Sequence, residues 1–220
     1  MACCGSKGSL VLGLIAGGAI ALLGTQAFSQ NKEKGKDAGG APQMTPEMQA
    51  MMDKWAAYMT PGDAHMKMMK HVGKWSMKTR MRMDPNSDFQ ECTGGTSEIT
   101  SIFGGRYLLE KVSAPPCGET MPMPFEGMNV IGYDNFQKKY VYTWCDNMGT
   151  GLMAGEGTAS ADGKTITYWA ECPDFMTGKM KKCRSVMNMI SDDEFRFEMY
   201  DTAPDGKEYK GFEGIYTRAK

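Results

Sequence analysis

The sequence predicts a mainly β fold, an up-and-down antiparallel barrel of about nine or ten strands preceded by two short helices. Two observations carry this expectation. At Gly73-Lys74-Trp75 a helical pattern stops, and Trp75, Met77, Thr79, Met81 and Met83 then alternate with Ser76, Lys78, Arg80 and Arg82. That period of two marks a strand with one dry face. From there to the C-terminus, short strand-like runs recur between turn pairs such as Asp134-Asn135, Asp162-Gly163 and Asp205-Gly206, which suit tight hairpins. Hairpin-linked strands favour an antiparallel barrel over a parallel sheet, with a two-sheet sandwich as the rival.

Within residues 1–29 the one charge is Lys7, the stretch from Leu10 to Leu23 is apolar, and Ala27-Phe28-Ser29 offers small residues where a signal peptidase reads. A secretory signal cleaved before Gln30 is expected, the alternative being an uncleaved anchor, although the apolar core is short against a span of about 20 residues. Residues 30–44 are polar, Gly-rich and aperiodic, as in a disordered linker. Residues 45–72 hold the two helices. Thr45-Pro46-Glu47 supplies a side-chain cap, a first-turn proline and an acid. Met48, Met51, Met52, Trp55 and Met59 then form an apolar stripe for burial. Thr60-Pro61-Gly62-Asp63 restarts the pattern, and His65, Met68, Met69 and Val72 line the second helix.

The barrel domain is expected over residues 73–220, with strand-like runs at 75–83, 96–102, 106–113, 126–133, 140–145, 164–171, 183–190, 195–199 and 209–218. Methionines 77, 81, 83, 187, 189 and 199 fall on its inward faces. The formal net charge of −1 and the lack of a basic block argue against a nucleic-acid partner. No stable membrane insertion is expected once the signal is removed, and the protein is placed in the periplasm or outside the cell.

Export makes pairing the default for Cys92, Cys117, Cys145, Cys172 and Cys183. Cys172 and Cys183 flank a turn-rich segment and can face each other across a hairpin. Cys92 with Cys117 is the next pairing, which leaves Cys145 as a buried thiol.

Gly73, Trp75 and Arg218 are similar to the paired signature of the calycin superfamily, the lipocalin-like barrels, in which a basic residue of the last strand lies over a tryptophan of the first. A second resemblance covers the chain from about His65 to Arg218. Gly104-Gly105-Arg106-Tyr107, Phe125-Glu126-Gly127, Gly132-Tyr133-Asp134-Asn135, Lys139-Tyr140-Val141 and the run from Trp144 to Thr150 resemble the bacterial family catalogued as domain of unknown function 1579. So do Pro204-Asp205-Gly206-Lys207 and Tyr216-Thr217-Arg218. That resemblance implies a small lipocalin-like domain, often exported, without an established activity.

The expected function is non-catalytic binding of a small apolar or amphipathic molecule in a barrel cavity. Phe125, Tyr133 and Trp144 would form walls, with Arg106, Glu126 and Asp146 as polar anchors. A second reading rests on the 22 methionines, whose Met-x-Met pairs, Met121 and Met123 above all, offer soft thioethers to Cu(I) or to oxidants. A third is an enzyme built on the barrel cup, for which no nucleophile, triad or phosphate loop is recognisable. With only His65 and His71 present, no multi-histidine metal site can form and no barrel strand offers haem an axial ligand, so no cofactor is expected.

Overall fold

A computed structural model describes residues 44–119, 121–175 and 177–220; the expected signal and nearly all of the expected linker lie outside them. Thr45–Lys220 forms one compact unit. Helix α1 spans Pro46–Met59 and α2 spans Asp63–Met69. Ten strands follow: β1 Gly73–Met81, β2 Gln90–Ile102, β3 Tyr107–Ala114, β4 Phe125–Asp134, β5 Lys139–Asp146, β6 Met153–Ala159, β7 Thr165–Asp174, β8 Lys179–Ser191, β9 Glu194–Thr202 and β10 Glu208–Arg218. Each pairs antiparallel with its sequence neighbour, and β1 pairs with β10, so the sheet closes into a barrel without an edge.

The mouth where β1 begins and β10 ends is plugged. Helix α2 packs on β3 and β4 there and drives Met68, with Ala64 and Met69 beside it, into the core. Trp75 is 1% exposed; its Nε1 donates to the His71 carbonyl at 2.9 Å and its ring meets Phe195 edge to face. Opposite Trp75 in the β1–β10 register stands Arg218, whose guanidinium lies 4.2 Å over the indole. The same guanidinium donates to the carbonyls of Lys70, Val72 and Asp192 and to Asp193 Oδ1. Gly73 lets this fork approach, because a Cβ there would stand 2.6 Å from Arg218 Nη1.

Helix α1 is capped as its sequence suggests, with Met48 N donating to Thr45 Oγ1. Its C-terminal carbonyls are gathered at the same end of the barrel: Asn135 Nδ2 donates to those of Ala57, Tyr58 and Thr60, and Arg106 donates to that of Met59. The stripe Met48, Met51, Met52, Trp55 and Met59 nevertheless stays exposed, and no α1 residue is buried, because the polar turn holds only the helix end. Two further expectations are corrected. Met83 lies beyond the end of β1 and is 81% exposed, so it does not face inward. The strand β6 has no counterpart among the expected runs, and its Gly155 and Gly157 are explained by packing below. Among the described residues no helix is long and apolar enough to cross a membrane.

Cys92 bonds to Cys117, and Cys172 to Cys183 on the neighbouring strand, while Cys145 is free. The first bridge holds the β3–β4 connection against β2, helped by Gln90 Nε2 donating to the Cys117 carbonyl.

Candidate functional site

Both helices gather at one end, so among the described residues the opposite mouth is ringed only by the β1–β2, β3–β4, β5–β6, β7–β8 and β9–β10 connections. Inward side chains fall into two classes. On β1–β3 the residues Trp75, Met77, Ser97, Ile99, Leu108, Glu110 and Val112 are buried. On β4, β5, β8 and β9, Ile131, Tyr142, Trp144, Met187, Phe197 and Met199 also point inward in the strand registers yet keep partial exposure, while Tyr140, Tyr168, Phe195 and Tyr216 are buried. These residues pack against the buried core without being closed over completely.

Aromatic rings line the lumen because glycines let them lie flat. A Cβ at Gly157 would stand 2.5 Å from the Tyr168 ring, and one at Gly155 would overlap Tyr142. Trp144 lies over Gly127 in the same manner, and Phe125 stacks on it at 6.2 Å between ring centres. The indole Nε1 of Trp144 donates to Asp146 Oδ2 at 2.7 Å, which fixes the ring. Phe125, Trp144 and Asp146 therefore form one cluster toward the open mouth.

The polar centre of the lumen is Glu110, which the sequence reading missed. Its carboxylate accepts from Ser97 Oγ at 2.8 Å and from Asn129 Nδ2 at 3.3 Å. Burial pushes its carboxyl above the ordinary range, opposed by these two hydrogen bonds. Tyr168 and Tyr216 lie near enough to feel its charge, and burial raises both phenols well above their usual range. Glu110, Asn129 and Trp144 occupy consecutive places across β3, β4 and β5. Asn129 Oδ1 is buried without a partner. The signal was present in the sequence, since Leu108, Glu110 and Val112 share one strand face and an acid on an apolar phase needs a reason.

The other expected anchors stand elsewhere. Arg106 is exposed at the plugged end, where it borders a concavity of about 210 Å³ with Tyr58, His65, Tyr133 and Asn135. His65 sits edge-on to Tyr133 at 5.8 Å and accepts from Gly62 N through Nδ1. Burial, aided by the Arg106 charge, holds the His65 imidazole below its ordinary pKa, against a hydrogen bond to the Tyr133 backbone. Glu126 faces outward. It borders a shallow exterior groove of about 840 Å³ across β1–β5, where Lys74, Glu98, Lys111, Met128 and Cys145 form a cross-strand row. Met121 is buried, its backbone bridged to Cys117, whereas Met123 is exposed. Among the described residues no group of three or more His, Cys, Asp or Glu is arranged to hold a metal.

The architecture defines the class: a closed ten-stranded up-and-down β-barrel, stoppered at one mouth, with a mixed aromatic and polar lumen. The chain belongs to the family described as "Protein of unknown function (DUF1579)", whose model matches residues 60–218. Its fold is similar to the crystal structure of Rv2717c from M. tuberculosis, with a TM-score of 0.52 and 11% identity over 73% of this chain and 100% of that one. A de novo designed fluorescence-activating β-barrel matches with a TM-score of 0.38 and 16% identity, over 72% of this chain and 100% of the design. No curated protein matches the sequence.

Proposed function

We propose that this barrel binds a small amphipathic molecule in its lumen, entered from the unplugged mouth, without chemical turnover. The observation carrying this reading is the partial exposure of inward apolar side chains such as Ile131, Tyr142, Met187 and Phe197 in a barrel stoppered at one end. An apolar wall with a few placed polar groups is the general form of a small-molecule site. Phe125 and Trp144 contact the apolar part. Asp146 lies nearer the mouth, and the Glu110–Asn129 pair takes the anchoring role first expected of Arg106 and Glu126. The two disulfides suit an oxidising compartment, consistent with an exported protein.

The test is titration with the neutral dye N-phenyl-1-naphthylamine. Saturable dye emission with quenching of tryptophan fluorescence is expected, and Trp144→Ala should weaken binding by about fivefold or more, roughly 1 kcal/mol of lost ring contact. Trp55→Ser on the exposed α1 stripe serves as the control and should leave binding unchanged. Absence of saturable binding, or loss on Trp55→Ser with none on Trp144→Ala, refutes the lumen as the site.

A further inference from the structure

We infer that the lumen selects amphipathic molecules with a cationic, hydrogen-bond-donating end, an aliphatic or aromatic amine, held by Glu110 and Asn129 Oδ1. This rests on the lumen-binding reading and adds the chemistry of the ligand to it. Glu110 and Asn129 Oδ1 hold acceptor capacity that their protein partners leave unfilled. Glu110 has two donors, Ser97 and Asn129, for a group with about four acceptor sites. Among the described residues no Lys, Arg or His forms an ion pair with it. Asn129 Oδ1 is an orphaned acceptor in the same row. Toward the mouth Asp146 adds a further acid, while Lys181, which shares the inward face of β8 with Lys179, is engaged by Asp201 at 2.5 Å.

An ammonium inserted here would complete two vacant relationships at once. It would neutralise a buried carboxylate and donate to Asn129 Oδ1. A carboxylate ligand of the same chain length would set its charge against that of Glu110 and gain nothing from Asn129 Oδ1, with only neutral hydroxyls such as those of Tyr168 and Tyr216 to replace its hydration. The groups facing Glu110 are Ser97 on β2, Asn129 on β4, Tyr168 on β7 and Tyr216 on β10. Both phenols stay neutral, so the carboxyl, its pKa raised by burial, is the group of this set whose charge changes as pH rises. Burial favours its protonated form in the empty lumen, so binding an ammonium releases that proton and affinity for an amine rises with pH.

The experiment displaces N-phenyl-1-naphthylamine from the intact protein with octylamine, octanol or octanoate. At about pH 7.5 octylamine should compete about tenfold better than octanoate, with octanol between them. Glu110→Gln should reduce that ratio to about twofold or less while leaving octanol within about twofold. In the unaltered protein, octylamine affinity relative to octanol should increase between about pH 5 and pH 8, a readout independent of how the variant folds. Octanoate competing as well as octylamine, an amine preference that survives Glu110→Gln, or a pH-independent ratio overturns the inference even though octanol binds. If neither the dye nor octanol binds, the lumen reading itself fails and the amine proposal falls with it.

Discussion

Replacing Arg218 with methionine keeps the aliphatic stem over the Trp75 ring but removes the guanidinium that ties the end of β10 to two other segments. That fork donates to the Val72 carbonyl at 3.0 Å, to the Lys70 carbonyl at 2.9 Å, and to the Asp192 carbonyl at 2.8 and 3.1 Å. These carbonyls belong to the chain entering β1 and to the β8–β9 turn, so one side chain stitches the seam where the barrel closes. Because Arg218 is itself partly accessible, each carbonyl contact is worth about 0.5–1 kcal/mol net, and the cation–π contact adds about 1 kcal/mol. Arg218→Met should therefore cost about 2–4 kcal/mol, lowering Tm by roughly 5–12 °C for a domain of this size. Asp193 also accepts from Arg218 at 3.1 Å but its side chain is 78% exposed, and removing such a partner by Asp193→Asn should cost less than about 0.5 kcal/mol. Arg218→Lys, a point charge without the fork, should fall between the two. Urea unfolding with unchanged m-values measures all three. A loss below about 0.5 kcal/mol for Arg218→Met, or an equal loss for Asp193→Asn, would falsify the carbonyl-stitch argument.

The remaining predictions concern protonation and packing. The folded pKa of Glu110 is raised, so its contribution to stability is fully present below the unfolded value of about 4.3 and is lost as pH rises through the folded one. Glu110→Gln should accordingly be more stable than the parent near pH 8 and draw level or fall behind near pH 4; equal offsets at both pH values would contradict this. His71 has the opposite sign. Burial first, and then the Arg218 charge, depress its pKa despite the contact of Nδ1 with the Met68 carbonyl, and its Nε2 is buried without a partner. Its share of stability is present above about pH 6.5 and is lost as pH falls through the depressed folded value. His71→Phe should flatten that acid limb in a urea-stability profile, and an unaltered slope would count against it. Gly155→Ala, which drives a methyl into the Tyr142 ring, should destabilise by about 1–3 kcal/mol. Gly149→Ala, which meets nothing within 4 Å, should be nearly neutral by the same thermal melt; comparable losses would refute the packing explanation.

Much of the barrel was legible because its signals are local. The turn pairs, the alternation after Trp75 and the cap at Thr45 each depend on residues within a few positions of one another. Strand β6 escaped because Met-Ala-Gly-Glu-Gly-Thr-Ala lacks β-branched and aromatic character. Its glycines make sense only once the rings of Tyr142 and Tyr168, borne by β5 and β7, are laid over them. The candidate site was legible in part. Phe125, Trp144 and Asp146 do come together, but Arg106 and Tyr133 stand at the stoppered end and Glu126 faces the exterior. Proximity in sequence placed all six on one hairpin and its flanks, and a hairpin spans the full height of a barrel.

By itself, then, the sequence determined where this chain turns, which residues share a strand face, and which two strands could meet at Trp75 and Arg218. Backbone periodicity and turn chemistry act over short separations and do not need the fold in order to be read. Only the tertiary structure decided which face became the lumen wall at each height, which mouth the helices block, and that Glu110 lies beside Ser97 and Asn129. Those relations depend on the closure and register of ten strands, where a shift of one residue exchanges inside for outside.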